Sequence, residues 1–188
     1  SCSAAERLLV HESIKDEFLE GMLEEVKRIK LGNPLDESTT MGPLNNEATA
    51  SKVDEHLADA RDKGAKIVSG GKRASGFPTK LYYEPTVIDE VKANMLLNVE
   101  ETFGPVAPII SFADHEEAIE LANNNELGLV SGIFTSDLRK AIYFGEKLET
   151  GNVNVNEVSS YWQIHSPFGG YSGKRSGIGR LGGKYTIM

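Results

Sequence analysis

The chain has 188 residues, 39% hydrophobic and 26% charged, an ordinary globular composition with length for a domain and a sizeable core. Its 28 acidic residues against 20 basic ones leave a net charge of −8, which argues against a nucleic-acid partner. A single cysteine excludes an internal disulfide framework and a thiolate zinc cage and fits a reducing, cytoplasmic compartment, and no apolar run approaches the roughly 20 residues that a membrane helix needs.

The chain opens SCSAAERLLV, without a methionine and without a basic-flanked apolar leader, which points to processing or to a piece of a longer protein. ERLLVH (6–11) reads as a strand. SIKDEFLEGMLEEVKRIKLG follows, with Ile14, Phe18, Met22, Val26 and Ile29 at helical spacing, Ser13 as N-cap and Gly32 as the stop. GNPLDESTTMGPL is loop, and NEATASKVDEHLADARDKGA is a second helix with Val53, Leu57 and Ala60 on one face. KIVSGG gives a short strand, GGKRASGFPTKLYYEPTVIDEV a hairpin-like segment, and VAPIISF (106–112) a strand apolar on both faces. Helix HEEAIELANNN, strand LVSGIFT, helix DLRKAIYFGEKLE and strand GNVNVN complete an alternation that predicts an α/β fold with a mostly parallel sheet flanked by helices. The glycine-rich end, SPFGGYSGKRSGIGRLGGKYTIM, is loop with a strand starting at Tyr185. Gly177, Gly179 and Gly182 spell a dinucleotide fingerprint, but loop precedes them and no helix start follows, so the mechanical context of that motif is missing.

Three stretches hold candidate chemistry. Cys2 is either a nucleophile or an inert terminal thiol; Ser3 to Glu6 as the first turn of a short helix would favour its thiolate. The four histidines are scattered, so spacing gives Cys2 no histidine partner, and each reads as a surface or packing residue. VEETFGPVAP (99–108) puts acids at 100 and 101 beside Phe103 at a strand junction, either a ligand contact or a solvated acid above a core ring. In GNVNVNEVSSYWQIHSPFGG (151–170), Asn154 and Asn156 share one strand face and either need partners or serve a site, while Tyr161, Trp162 and Phe168 form either a pocket wall or a packed lid.

Taken in order and spacing, SCSAAERLLVH, NVEETFGPVAPI, GNVNVN and SPFGGYSGKRSGIGR resemble the catalytic-domain motifs of the NAD(P)-dependent aldehyde dehydrogenase superfamily. The likeness covers the whole chain, so residues 1–188 are expected to be the cysteine-bearing catalytic domain. The resemblance implies that Cys2 is the nucleophile that attacks an aldehyde and that its backbone amide supplies half of the oxyanion hole. It implies cofactor contacts, to NAD or NADP, from Glu101 to the nicotinamide ribose, from Phe103 beside the nicotinamide, and from Lys52, on the exposed face of the second helix, to the adenosine ribose. Phe168, Trp162 and Ser3 fall in the substrate pocket, residues 157–166 in the loop that shapes it, and Asn156 is a structural asparagine beneath the site. A homo-oligomer is implied for the parent protein, with neither nucleic acid nor membrane as partner.

Two departures stand out. Members carry GGxKxSGxGRE, whereas the run between Gly170 and Ser176 is longer by two here and Leu181 replaces the acid. The family's dinucleotide-binding domain, general-base glutamate and oxyanion asparagine all lie upstream of the cysteine, and the strand used in oligomerisation is cut short at Met188. The chain by itself is therefore expected to be inactive. The alternative is an isolated domain that acts as a binding or interaction module.

Overall fold

The computed structural model describes residues 1–187. The chain divides into two compact units, residues 6–113 and residues 1–5 with 114 onward.

The 6–113 unit is built on a four-stranded sheet. Strand β1 (Leu8–His11) leads through a 3-10 turn (Glu12–Ile14) into helix α1 (Lys15–Val26). Helix α2 (Glu47–Asp62), strands β2 (Lys66–Ser69) and β3 (Thr86–Asp89), the one-turn helix α3 (Leu96–Val99) and strand β4 (Val106–Phe112) follow. The spatial order is β1-β4-β3-β2, with β4 parallel to both neighbours and β2 antiparallel to β3; the hairpin-like stretch holds β3 but not β2, and its own antiparallel pairing is the isolated bridge Arg73–Tyr83. Strand β4 is central, as its two-faced apolar run requires: Val106, Pro108, Ile109 and Ile110 are all buried. Val10, Val87 and Ile109 form a cluster over which Leu19, Met22, Leu23 and Val26 of α1 pack. Helix α2 buries Ala50, Val53, His56, Leu57 and Ala60, the 3.6-residue stripe of its sequence. Its first turn is capped by Asn46, whose side-chain oxygen accepts the Thr49 N–H at 2.9 Å.

Helix α1 is shorter than its periodicity predicts. Ser13 does not cap it, and α1 starts after Ile14 without a side-chain cap; His11 caps the preceding 3-10 turn instead, its Nδ1 facing the Ser13 N–H at 3.1 Å. The helix stops at Val26, six residues before Gly32, because tight i to i+3 bonds take over at Arg28 and Ile29. The chain beyond pairs elsewhere: Lys30 N–H donates to Thr40 Oγ1 at 2.7 Å and Gly32 N–H to Met41 O at 3.2 Å.

The other unit holds helix α4 (His115–Asn123), strand β5 (Val130–Ile133), helix α5 (Leu138–Lys147) and strand β6 (Asn152–Val155). Its two strands pair in parallel in a sheet of their own, Val130 opposite Asn152 through Ile133 opposite Val155. Asp114 and Asp137 cap the two helices, accepting N–H bonds at 2.9 and 2.8 Å. The strand expected from Tyr185 is instead a 3-10 turn, Gly183–Thr186, in which the Tyr185 N–H closes onto Gly182 O at 3.1 Å. Met188, where the oligomerisation strand was expected to break off, lies outside the described residues.

Candidate active site

In the 6–113 unit the EETF segment is a turn held from three sides. The Glu6 carboxylate accepts two consecutive amides, Thr102 N–H at 2.9 Å and Phe103 N–H at 3.0 Å. Lys52 Nζ, from α2, donates to the Glu101 carbonyl. His56, one helical turn further and 1% exposed, meets Thr102 Oγ1 with Nδ1 at 3.0 Å and faces Glu100 Oε2 with Nε2 at 3.5 Å. Burial, and then the Lys52 charge, push the His56 ring below its ordinary range, so it stays neutral. The Glu100 carboxylate only accepts, which assigns the ring proton to Nε2 and leaves Nδ1 to accept from the Thr102 hydroxyl.

The turn is conformationally costly. Phe103 sits at φ 57, left-handed backbone that a bulky residue rarely adopts, and its ring is 47% exposed. Gly104 follows where an added Cβ would lie 2.5 Å from Val53 Cγ2, so only glycine lets the turn lie this close to α2. The Glu101 side chain makes no hydrogen bond or ion pair among the described residues. Burial pushes the Glu6 carboxyl above its ordinary range; the two amides pull it back, the Glu101 charge adds to the rise and Lys52 opposes it. Lys52 is half-buried and engaged with the turn, a correction to its expected place on the exposed face of its helix.

In the other unit Cys2 is exposed. The helix expected from Ser3 to Glu6 is absent; one turn forms instead, with Ala4 N–H donating to Ser1 O at 3.1 Å. So short a segment without tertiary backing does not repay helix nucleation. Ser3 is half-buried, and its carbonyl accepts from Ser159 Oγ at 2.7 Å, which ties the cysteine turn to the loop after β6. Asn154 fixes that loop from the strand face, its Nδ2 donating to Val158 O and Tyr161 O, both at 2.9 Å. Asn156, left-handed at φ 54, bonds Thr135 through both side-chain atoms, N–H to Oδ1 at 2.8 Å and Nδ2 to O at 3.0 Å, and so locks the ends of β5 and β6 together. The predicted need of both asparagines for partners is met by backbone.

The Trp162 and Phe168 rings lie 5.5 Å apart at 54°, and Trp162 Nε1 donates to Ser166 O at 3.1 Å while the indole stays 41% exposed. Phe168 and Leu181 exchange both backbone bonds at 2.9 Å, so the residue that replaces the family's acid serves as a strand-like partner. Gly182, at φ 101, packs where a Cβ would meet Ser166 O at 2.3 Å. The glycine fingerprint thus lies in loop, and of its three glycines Gly182 packs against the aromatic segment. Among the described residues, no group of three or more His, Cys, Asp or Glu is placed to hold a metal ion, and no helix is long and apolar enough to cross a membrane.

Glu6, His56 and Ser159 are the residues missed at the sequence level. Each acts on backbone or side chains far along the chain, and no spacing rule reports such a contact.

The model of the aldehyde dehydrogenase family matches residues 1–188. The mitochondrial succinate-semialdehyde dehydrogenase of Oryza sativa subsp. japonica is 45% identical over 187 residues, which is 100% of this chain and 34% of that protein. The NADP(+) succinate-semialdehyde dehydrogenase GabD of Escherichia coli (strain K12) is 40% identical over 190 residues, covering 100% of this chain and 38% of that protein. Aldehyde dehydrogenase 21 from Physcomitrella patens, solved in complex with the reaction product succinate, superposes with a TM-score of 0.92 at 40% identity, over 100% of this chain and 37% of that one. Betaine aldehyde dehydrogenase from Staphylococcus aureus in complex with NAD+ gives the same TM-score, 0.92, at 40% identity, over 100% of this chain and 37% of that one. The chain therefore spans about a third of the length of the curated relatives it matches.

Proposed function

Because the chain belongs to the aldehyde dehydrogenase family, we propose that it is the cysteine-bearing catalytic domain of an enzyme that oxidises an aldehyde to a carboxylic acid with NAD or NADP. The observation that carries this reading is the exposed Cys2 thiol on a turn tied by Ser159 to the aromatic loop 157–166. Cys2 Sγ attacks the aldehyde carbon, and Ser3, Trp162 and Phe168 contribute to the pocket for the rest of the substrate. Loss of hydride from the adduct leaves a thioester on Sγ; water then adds to its carbonyl carbon and the C–S bond breaks, releasing the acid and restoring the thiol. Asn156 braces the strand ends beneath this loop.

The chain also has groups that fit a dinucleotide. Glu101 offers ribose hydroxyls a carboxylate with no hydrogen bond or ion pair among the described residues, and Phe103 an exposed ring to a planar heterocycle. Lys52, with N–H groups to spare beyond its bond to the turn, is the third contact. When bound, the nicotinamide supplies the hydride acceptor.

The semialdehyde relatives support a short aldehyde with a distal carboxylate as one substrate class to try first. The relatives include a protein named mitochondrial and one named cytosolic, and the single reduced cysteine favours the cytoplasm here. We read the parent as a homo-oligomer, and the dinucleotide-binding domain as lying outside residues 1–188.

The test uses the intact parent protein and the 188-residue chain side by side. Incubated with succinate semialdehyde and NAD+ or NADP+, the parent forms NAD(P)H continuously, Cys2→Ser abolishes it, and the chain alone gives none. Full turnover by Cys2→Ser would refute the assignment of the nucleophile. Sustained turnover by the bare chain would refute its dependence on a partner domain, and an inert parent would favour the binding-module alternative.

A further inference from the structure

The EETF turn carries the two groups read above as cofactor contacts, yet nothing in the turn's own sequence fixes it. Its backbone is left-handed at Phe103, a conformation that costs about 1–3 kcal/mol unless its surroundings over-determine it. Two consecutive N–H groups point out of the turn, at Thr102 and Phe103, and Thr102 is buried. Buried amides must find an acceptor, and a pair of parallel amides matches the two oxygens of one carboxylate.

We propose that Glu6 is a positioning residue for the cofactor: its carboxylate grips both amides, Lys52 and His56 hold the carbonyl and hydroxyl on the other sides, and together they set the directions of the Glu101 carboxylate and the Phe103 ring. The proposal rests on the reading of Glu101 and Phe103 as cofactor contacts. The grip is specific in its chemistry. Each Glu6 oxygen takes one amide, Oε2 from Thr102 and Oε1 from Phe103. Glutamine at this position presents one acceptor and one N–H₂ group, so it satisfies one amide and opposes the other. Alanine satisfies neither. A half-buried carboxylate beside another acid, Glu101, with desolvation working against its charge, is an unfavourable choice for packing alone. It is what a site requires when both amides must be held at once. The charged groups facing Glu6 are Glu101 from the turn and Lys52 from α2, so Glu6 carries the turn's own acid as a neighbour and α2's cation as a counterweight.

The consequence is graded. Loss of the grip frees Phe103 to leave its left-handed conformation, and the ring and the carboxylate then sample many directions of which few suit a ligand. Affinity falls by the fraction of time spent in the competent one.

The experiment uses the intact parent with Glu6→Gln, Glu6→Ala and Glu101→Ala. It measures the Kd of NAD+ and of NADP+ by fluorescence titration, hydrogen exchange at the Thr102 and Phe103 amides without cofactor, and steady-state kinetics. The expected order of Kd is wild type, then Glu6→Gln, then Glu6→Ala, with Glu6→Ala weakened about ten-fold or more. Both variants lose exchange protection at the two amides, and the KM for the cofactor rises by more than kcat falls. If Glu101→Ala weakens binding and both Glu6 variants bind as wild type does, the positioning role is overturned while the cofactor reading stands. If Glu101→Ala binds normally, the cofactor reading itself fails and the proposal with it. Should Glu6→Ala not fold, Glu6→Gln decides by the same three measurements.

Discussion

Lys174 lies in the stretch that is two residues longer than the family pattern, and its surroundings give it a measurable structural role. Its side chain is 12% exposed, and Nζ donates to Asn123 O at 2.6 Å and Asn125 O at 2.7 Å and pairs with Glu149 Oε2 at 2.8 Å. Asn123 closes α4, so the ammonium meets the negative end of that helix, at a carbonyl that also accepts the Asn125 N–H at 2.7 Å. Lys174→Met keeps most of the stem and removes the cation. Each bond to a charged group is worth about 1.5–3 kcal/mol, against which stands the cost of desolvating the ammonium, while the rotamer entropies of Lys and Met are similar and cancel. The net loss is about 2 kcal/mol. With a urea slope of about 1–3 kcal/mol/M, the unfolding midpoint drops by about 1 M. Trp162 is the chain's only tryptophan and belongs to the same unit, so its fluorescence follows the affected part directly. A midpoint within about 0.2 M of wild type would refute the capping argument. A full-sized drop from Glu149→Gln alone would assign the effect to the ion pair and leave the carbonyls without a part in it.

His56 gives a pH dependence of defined sign. Its ring is held below the ordinary histidine range in the folded chain, so the unfolded chain binds the extra proton more readily. The stability due to neutral His56 is complete above about pH 6.5 and declines as pH falls from there toward the folded value; urea midpoints between pH 7.5 and 5.5 show the decline, and His56→Gln flattens it. An unchanged slope in that variant would assign the acid sensitivity to another group. Ile109 is fully buried in the central strand, and Ile109→Ala removes about 2–5 kcal/mol, measured by denaturant unfolding of the chain. A loss under about 1 kcal/mol would mean that the cluster with Val10 and Val87 collapses into the gap.

Periodic features of the sequence translated well into structure. Val53, Leu57 and Ala60 are all fully buried along α2, and the two-faced apolar run 106–112 is the central strand. The alternation of valine and asparagine in GNVNVN predicts one strand face for Asn154 and Asn156; only Asn154 lies in β6, Asn156 standing in the left-handed residue after it, and both side chains find backbone partners. What escaped has a common physical cause. The Glu6 bonds to Thr102 and Phe103 join residues 96 and 97 positions apart, and a side chain that serves a distant backbone leaves no local pattern. His56 fits the apolar stripe of α2 and reads as packing, although it also grips the turn. The helix expected after Cys2 was a propensity argument in a segment too short to hold one, and tertiary contact from Ser159 set its shape instead. Left-handed backbone at Phe103 is imposed by surroundings, so residue type does not foretell it, whereas at Asn156 it falls on a residue type that adopts it readily.

The division of the chain also orders events in time. Residues 1–5 group with residues from 114 onward, whereas the intervening stretch forms a unit of its own. On a ribosome the 6–113 unit is complete while the partners of Cys2's turn have yet to be synthesised. Ser159, whose hydroxyl donates to the Ser3 carbonyl across a separation of 156 residues, is made well after that unit. At about 5–20 residues per second the thiol stays outside its finished setting for roughly ten to thirty seconds of synthesis. During that interval the Cys2 thiol depends on its redox surroundings, and not on its own fold, to stay intact.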